Sequence, residues 1–443
     1  MPNYDSILPY VRANEIKNSN YVGKEVRLRG WVYRLRKQKE NAFVLIRDDR
    51  GGIIQSIFPL KIAAHLTIES SVEVVGTVQY DKRAPEGSYE IRGREIKIFN
   101  IADNTFPIGE YQSLELLLDN RHLALRSRKM IEIAKIRNSV LKFARDWFIK
   151  NDWMEVTPPN IVKAAVEGGS TLFRLKYFDE HAYLSQSAQL YLEAMIFCLG
   201  PVWSLTSSFR AEKSRTIRHL AEFSHLEAEA PWVGLEDILK IQEQLISYVI
   251  QNTVDERSDS FSFLNRDIHT LKKVQLPFKR LTYEHAIEVL SSRRVQVSDP
   301  EEQKRTIRLG DDLNIDSERE LTKDTSKPIF IIGYPIEVKP FYVKEDPIHK
   351  GRGLAADLLA PEGFGEISSG GEREEDINSI KRKMEKEGLN PESYGWYLDL
   401  RKYGSVPHGG FGLGIERLVR WMVNADDIKD TVLFPRTMSR VTP

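Results

Sequence analysis

Between Lys24 and about Asn100 no apolar pattern lasts longer than a single strand. The stretch reads as short alternating runs, EVRLRGWVYRLR, AFVLIRD, GGIIQSIF, SVEVVGTVQY and YEIRGREIKIFNI, punctuated by Gly, Asp and Pro. Such spacing predicts a small all-β barrel in an N-terminal domain of residues 1–105. A five-stranded barrel of the OB type is the natural candidate, and barrels of that type offer one face and its loops to single-stranded nucleic acid.

The chain has 443 residues, more than one hydrophobic core usually serves, so at least one further domain is expected. Lys+Arg and Asp+Glu both number 64, so any attraction for nucleic acid must be local and not a property of the whole chain. A local basic cluster does occur. Arg34, Arg36, Lys37 and Lys39 fall between the first two predicted strands, beside Trp31, Tyr33 and Phe43. Phosphate attraction with base stacking is one reading of it, and a solvated hairpin over a core Phe is the other.

Cys198 is the only cysteine, which excludes an internal disulfide and any multi-cysteine metal site; it is expected to be a small buried hydrophobe in a reducing cytoplasm. The N-terminal MPNYDSILPYVRANE lacks a basic-then-apolar leader pattern, and no apolar run reaches spanning length. A cytoplasmic location with no membrane partner is therefore expected.

Residues 106–130 carry Pro, Gly and Asn breaks and are expected to form a hinge. Ile133, Ile136, Val140, Phe143 and Trp147 then recur at helical spacing, and WMEVTPP ends the segment. The remainder, 131–443, mixes strands and helices without a βαβ rhythm, which predicts an antiparallel sheet flanked by helices and an overall α+β fold. Within it, 235–327 is polar, helical in places and weakest in signal, and is expected to be a poorly defined insertion.

Three segments carry chemistry. SLTSSFRAEKSRTIRHLAEFSHLEAEA sets Arg210, Glu212, Arg215, Arg218 and His219 in a strand, a basic loop and a returning strand. Period-2 alternation on the return puts Phe223, His225, Glu227 and Glu229 on one face and Leu226 and Ala228 on the other. In LAADLLAPEGFGEISSGGEREED, Asp357 and Glu366 flank a turn, where they could hold Mg2+ on a polyphosphate, and Ser369 and Arg373 follow. In PHGGFGLGIERLVRWM, glycines 409, 410, 412 and 414 allow backbone to approach a planar ligand, and Arg417 starts an apolar helix. Arginines for phosphates, carboxylates for magnesium, a Phe for a base and glycines for close approach together describe an ATP site without a P-loop.

FRAE with RHLAEF and GLGIERL resemble motifs 2 and 3 of the class II aminoacyl-tRNA synthetases, and WMEVTPP resembles motif 1. VEGGSTLF, LSQSAQLY, GEISSGGER and PHGGFGLGIERL place the likeness in the aspartyl/asparaginyl branch. It extends from the barrel to LFPRT. The resemblance implies a homodimer with motif 1 at the subunit interface, and an OB-fold barrel joined to a class II catalytic domain. It further implies that Arg210 holds the α-phosphate, Glu212 the adenine amino group and Phe223 the adenine ring, with Arg218, His219, Gly414 and Arg417 completing the ATP site. Asp357 and Glu366 would take Mg2+. Glu167, Ser187 and Gln189 would receive the amino acid, with Leu192, Glu193, Ser369 and Arg373 in its pocket. Phe43 and Gln55 match anticodon-reading positions; a third such position is not assigned, Glu90 being one candidate. Arg210 and Arg417 are the catalytic residues this implies, acting by charge stabilisation with no covalent nucleophile.

Aspartyl members of the branch look like QSPQLYK where this chain has QSAQLYLE. Leu192 thus replaces a cation, and Glu193 adds an anion one residue on. In a helix, Gln189, Leu192 and Glu193 share a face. An amide NH2 can donate to Glu193, whereas a carboxylate would be repelled. The activity expected is therefore activation of L-asparagine with ATP and its transfer to tRNA(Asn). Aspartate activation, and an asparagine synthetase that works through an aspartyl adenylate, are the alternatives. Glu372 departs from relatives that carry Gln there, and adds negative charge near the pocket.

Overall fold

The structure is a computed structural model and describes residues 8, 10–17, 19–109, 112–164, 166, 171–213, 216–298 and 304–443. It comprises two compact units, Met1–Ile131 and Glu132–Thr442.

In the first unit, β1 (Glu25–Lys37), β2 (Asn41–Arg47), β3 (Ile53–Pro59), β4 (Ser71–Tyr80) and β5 (Tyr89–Asn100) close into a barrel in the order β1-β2-β3-β5-β4. These are the five alternating runs of the sequence. Along β1, Val26, Leu28 and Val32 point inward to a core that also holds Val44, Ile46, Ile54, Phe58 and Val74. A bulge between Val32 and Arg34 adds one residue to β1 against β2. Beyond the bulge the register pairs Arg36 with Phe43, and Phe43 with Ile57.

The second unit is built on an eight-stranded sheet. Its strands are β6 (Met154–Glu155), β7 (Val202–Phe209), β8 (Glu222–Pro231), β9 (Lys279–Thr282), β10 (Ile329–Ile332), β11 (Ala355–Ala360), β12 (Gly365–Glu372) and β13 (His408–Gly414), in the order β9-β10-β11-β12-β13-β8-β7-β6. The six inner strands pair antiparallel with one another, as expected, but the edge strands β9 and β6 join in parallel, so the sheet is mixed.

Helix α1 (Arg128–Lys150) buries Ile133, Ile136, Val140 and Trp147 on one stripe, and Phe148 stacks on Trp203 of β7 with ring centroids 4.5 Å apart. The chain reverses at Asp152 (φ 60°) and enters β6. Helix α2 (Gln189–Leu199) follows the LSQS segment. Helix α3 (Leu235–Glu256) corrects the reading of 235–327 as a polar insertion. Its Ile238, Leu239, Leu245, Ile246, Val249, Ile250 and Val254 are buried in the main core with Phe411 and Leu413 of β13, and β9 from the same region is a strand of the sheet. Helices α4 (Gly395–Lys402) and α5 (Ile415–Val423) flank β13 in sequence. Cys198, expected to be buried, is exposed near the end of α2.

Candidate active site

Register makes one face of the sheet polar. One row across β11, β12, β13 and β8 aligns Asp357, Ser369, Gly412 and Glu227, and another aligns Ala355, Gly371, Gly410 and Glu229. Between them runs Ala356, Gly370, Phe411 and Ala228, of which Ala356, Phe411 and Ala228 belong to the core. The alternation expected on β8 is present, with Leu226 and Ala228 in that core.

Above this face lies a cavity of ≈ 300 Å³. Arg210, Glu212, Arg218, His219, Phe223, Glu366, Gly414 and Arg417 line it, together with Ser187, Gln189, Leu192, Ser369, Arg373 and Asp357. Three segments far apart in sequence are thus brought into one site. Phe223 and Glu229 both line it, and at strand rise their separation along β8 is roughly 20 Å.

The glycines of β13 serve the protein's own side chains. A Cβ on Gly412 would lie 2.4 Å from His225 Nε2, and one on Gly410 would lie 2.2 Å from Glu229 Oε2. A Cβ on Gly409 would meet Ile238 Cδ1 at 2.4 Å. The expected close approach of a planar ligand is therefore corrected at Gly409 and Gly410, which do not line the cavity and whose space is filled by a core methyl and a carboxylate, while Gly412 lines the cavity beside the His225 ring. Gly414 lines the cavity and precedes α5.

Around Phe223 the site is cationic. Arg210 stands over the Phe223 ring, its guanidinium carbon 5.5 Å from the centroid. Arg417 Nη1 donates to Glu366 Oε1 at 3.0 Å, and Arg218 Nη2 donates to the Glu366 carbonyl at 3.2 Å. A register shift between Leu358 and Leu359 pairs Leu359 with Glu366 and skips Ile367, a bulge of the kind that re-aims a side chain. Burial pushes the Glu366 carboxyl up, but Arg417, Arg218 and Arg210 outweigh it and hold the group below its ordinary value. His219 is lowered, first by burial and then by Arg417, Arg218 and Arg210, against the pull of Glu212.

Asp357 accepts from Lys339 Nζ at 2.7 Å and from Ser369 Oγ at 2.6 Å. Asp312 is raised by burial, with Asp357 and Glu366 adding to the rise against Lys339. Among the described residues no group of three or more His, Cys, Asp or Glu side chains could hold a metal ion by itself.

Further along β8, Arg373 gives Nε to Glu229 Oε1 at 2.9 Å and Nη2 to Glu229 Oε2 at 2.8 Å. Glu227 accepts the Ser187 hydroxyl and the Ala188 N–H, the latter at 2.9 Å, and burial raises its carboxyl. Leu192 faces the cavity while packing with Ala188, Ile196 and Val202.

Glu193 requires a correction. It shares a helical face with Gln189, as expected, but it does not reach the cavity, and its side chain is 0% exposed. Gln189 Nε2 donates to its Oε1 at 3.0 Å, while Tyr397 OH at 2.8 Å and Arg401 Nη2 at 2.5 Å donate to Oε2. With both oxygens engaged behind the wall, Glu193 is not the group that meets a substrate amide. Glu229 and Glu227, on β8, are carboxylates that do line the cavity. Glu372 also turns away, its Oε1 accepting from the Leu235 N–H at the start of α3 at 2.8 Å. Glu167 and Arg215 lie outside the described residues.

Sequence reasoning placed Glu227 and Glu229 on the right face without giving them roles. It missed Tyr397, Arg401 and His408, which no local pattern ties to α2. On the barrel, Arg36 stands over the Phe43 ring at 4.8 Å, and Gln55 Nε2 donates to Glu90 Oε2 at 2.8 Å. The basic hairpin and its aromatic neighbours thus share a surface, because Arg36 and Phe43 are cross-strand partners.

Residues 113–438 match the family of class II tRNA synthetases (D, K and N), and residues 26–99 match the OB-fold nucleic acid binding domain. The chain belongs to the class II tRNA synthetases. Within that family it is 50% identical over 429 residues to the asparagine–tRNA ligase of Thermococcus kodakarensis, covering 95% of this chain and 96% of the relative. Asparaginyl-tRNA synthetase of Pyrococcus horikoshii, solved with asparaginyl-adenylate, superposes with a TM-score of 0.92 at 47% identity, covering 99% of this chain and 100% of that one. The Entamoeba histolytica enzyme, also in complex with asparaginyl-adenylate, gives a TM-score of 0.87 at 34% identity, with 99% and 100% coverage.

Proposed function

We infer that this chain activates L-asparagine with ATP to give asparaginyl-adenylate and transfers the asparaginyl group to the 3′-terminal adenosine of tRNA(Asn). The carrying observation is one cavity that joins a cationic, aromatic end around Arg210, Phe223 and Arg417 to an end where Arg373 and Glu229 offer a buried donor and acceptor. ATP lies at the first end, with adenine against Phe223, its amino group near Glu212, its α-phosphate at Arg210 and its outer phosphates facing Arg218, His219 and Arg417.

The asparagine side chain lies at the other end. Glu229 occupies the Nε/Nη2 edge of Arg373, so the amide carbonyl takes Nη1 and the amide NH2 donates to a carboxylate. Gln189, its NH2 committed to Glu193, turns its carbonyl to the substrate ammonium. Ser369 lies beside this pocket and Ser187 orients Glu227. The substrate carboxylate attacks the α-phosphorus, and Arg210 stabilises the charge that develops there.

Asp357 and Glu366 fit a magnesium ion, since both are hard oxygen donors on one cavity where carboxylates already crowd Asp312. With only a pair of them, the polyphosphate has to complete the coordination. A bound Mg2+ would shield the triphosphate charge. On the barrel, Phe43 stacks an anticodon base and Gln55 hydrogen-bonds one. The chain works as a cytoplasmic homodimer with motif 1 between the subunits; Met154 is exposed on the edge strand β6. Among the described residues no helix is long and apolar enough to cross a membrane.

ATP–pyrophosphate exchange tests the reading. Exchange driven by asparagine supports it, and exchange driven by aspartate alone overturns it.

A further inference from the structure

Behind the amino-acid end of the cavity lies a buried ionic set that the chemistry above leaves unused. Glu193 and Arg401 each have side chains 0% exposed, and Arg401 Nη2 donates to Glu193 Oε2 at 2.5 Å. Tyr397 OH and His408 Nε2 lie against the same oxygen at 2.8 and 3.2 Å. The other oxygen, Oε1, faces forward: it accepts from Gln189 at 3.0 Å and lies 4.0 Å from Arg373 Nε. Glu193 therefore touches one residue of the cavity wall directly, stands beside another, and is anchored from behind by a cation on α4, 208 positions later in the chain.

We propose that Glu193 and Arg401 are positioning residues for amino-acid choice, a counter-charged pair behind the wall that keeps the pocket electrically neutral around Arg373. This rests on the reading of the site as an asparagine pocket. The two guanidiniums and two carboxylates of Arg373, Glu229, Glu193 and Arg401 cancel, and Glu227 on the same wall has Arg210 as its counter-charge. An uncharged carboxamide leaves that balance intact, whereas an aspartate side chain adds an anion to a buried set with no cation to spare. Low local dielectric lets charge act at this range. Glu193 also fixes the orientation of the Gln189 amide, so the pair bears on where the substrate ammonium sits as well as on which side chain is accepted.

The two partners carry opposite charges, so their removal has opposite signs. Glu193→Gln leaves the set one positive charge in excess, and Arg401→Met leaves it one negative charge in excess. The measurement is kcat/KM in pyrophosphate exchange with aspartate relative to asparagine, together with the separate KM and kcat for asparagine. Glu193→Gln is expected to raise the aspartate/asparagine ratio at least about tenfold, equivalent to ~1.4 kcal/mol. Arg401→Met is expected to raise the asparagine KM more than it lowers kcat, with no rise in the ratio. The double variant Glu193→Gln/Arg401→Met, neutral again, is expected to return the ratio to within about threefold of wild type.

A purely structural role would lower both activities together and leave the ratio unmoved, which overturns the proposal. So do single variants that shift the ratio in the same direction, or a double variant whose shift is the sum of the two. If one single variant fails to fold, the other single and the double each carry their own expected ratio. The wild-type ratio is measured first. A wild type that prefers aspartate removes the asparagine reading itself, whereas a wild type that prefers asparagine with variants that leave the ratio unchanged removes only this inference.

Discussion

Glu229 grips Arg373 through both carboxylate oxygens, at 2.9 and 2.8 Å, with both side chains almost wholly buried. The pair spans β8 and the end of β12, and its carboxylate fills the space left by Gly410. A planar fork on a carboxylate is rigid, so the remaining Nη1 edge of Arg373 is aimed by Glu229 and not by solvent.

Arg373→Lys keeps the charge and loses the fork. Truncating one member of a buried hydrogen-bonded pair costs about 2–5 kcal/mol, so asparagine-dependent exchange is expected to fall at least about thirtyfold. Steady-state exchange kinetics with varied asparagine check this. Retention of wild-type kcat/KM by the lysine variant would mean that bidentate geometry is irrelevant to the pocket.

Leu192→Lys places an ammonium on the cavity wall where the chain now carries an apolar side chain packed on Ala188, Ile196 and Val202. Burial of an unpaired cation costs stability, so the melting temperature is expected to drop by several degrees. The new cation is expected to shift exchange toward aspartate. Thermal melts and paired exchange assays separate the two effects, and an unchanged aspartate rate would remove position 192 from the selectivity argument.

The barrel was legible before the fold because its evidence is local: period-2 alternation of Val26, Leu28 and Val32 with polar neighbours, and a turn between each pair of strands. The parallel edges of the large sheet were not, since nothing near Lys279–Thr282 or Met154–Glu155 states which strand lies beside it. The place of helix α3 in the main core was not legible, because its stripe of Ile238, Leu245, Val249 and Val254 is diluted by Glu, Gln and Lys on its outer face. At the site, alternation on β8 and helical spacing on α2 gave the correct faces. Depth was the missing quantity. Glu193 lies beneath the wall because Arg401 and Tyr397, two hundred residues on, close over it, and no pattern within QSAQLYLE records their arrival.

Glu372→Gln tests whether the extra charge matters for selection. The carboxylate accepts from the first N–H of α3 and lies 3.5 Å from Lys344, so its field is spent on a helix N-terminus. A stability loss of about 0.5–1 kcal/mol is expected, with the aspartate/asparagine ratio unchanged. A shift in that ratio would place Glu372 in the pocket's electrostatics after all.

His219 gives the ATP site a pH dependence with a defined sign. Burial and then Arg417, Arg218 and Arg210 depress its pKa, against Glu212, so the free protein favours the neutral ring at pH 7 and protonates it less readily than an ordinary histidine. Protonation of a group so depressed opposes the folded free state, a loss that sets in as pH falls from about 6.5. Triphosphate beside the three arginines offsets their repulsion, raises the His219 pKa, and links ATP binding to proton uptake. ATP affinity is therefore expected to strengthen as pH drops from 7.5 to about 6, and more in the wild type than in His219→Gln, in which ATP's own titration is the remaining contribution. Calorimetric titrations of ATP at several pH values in the two proteins give the difference directly. Parallel pH profiles would show that His219 takes no proton on binding, and would move it out of contact with the phosphates.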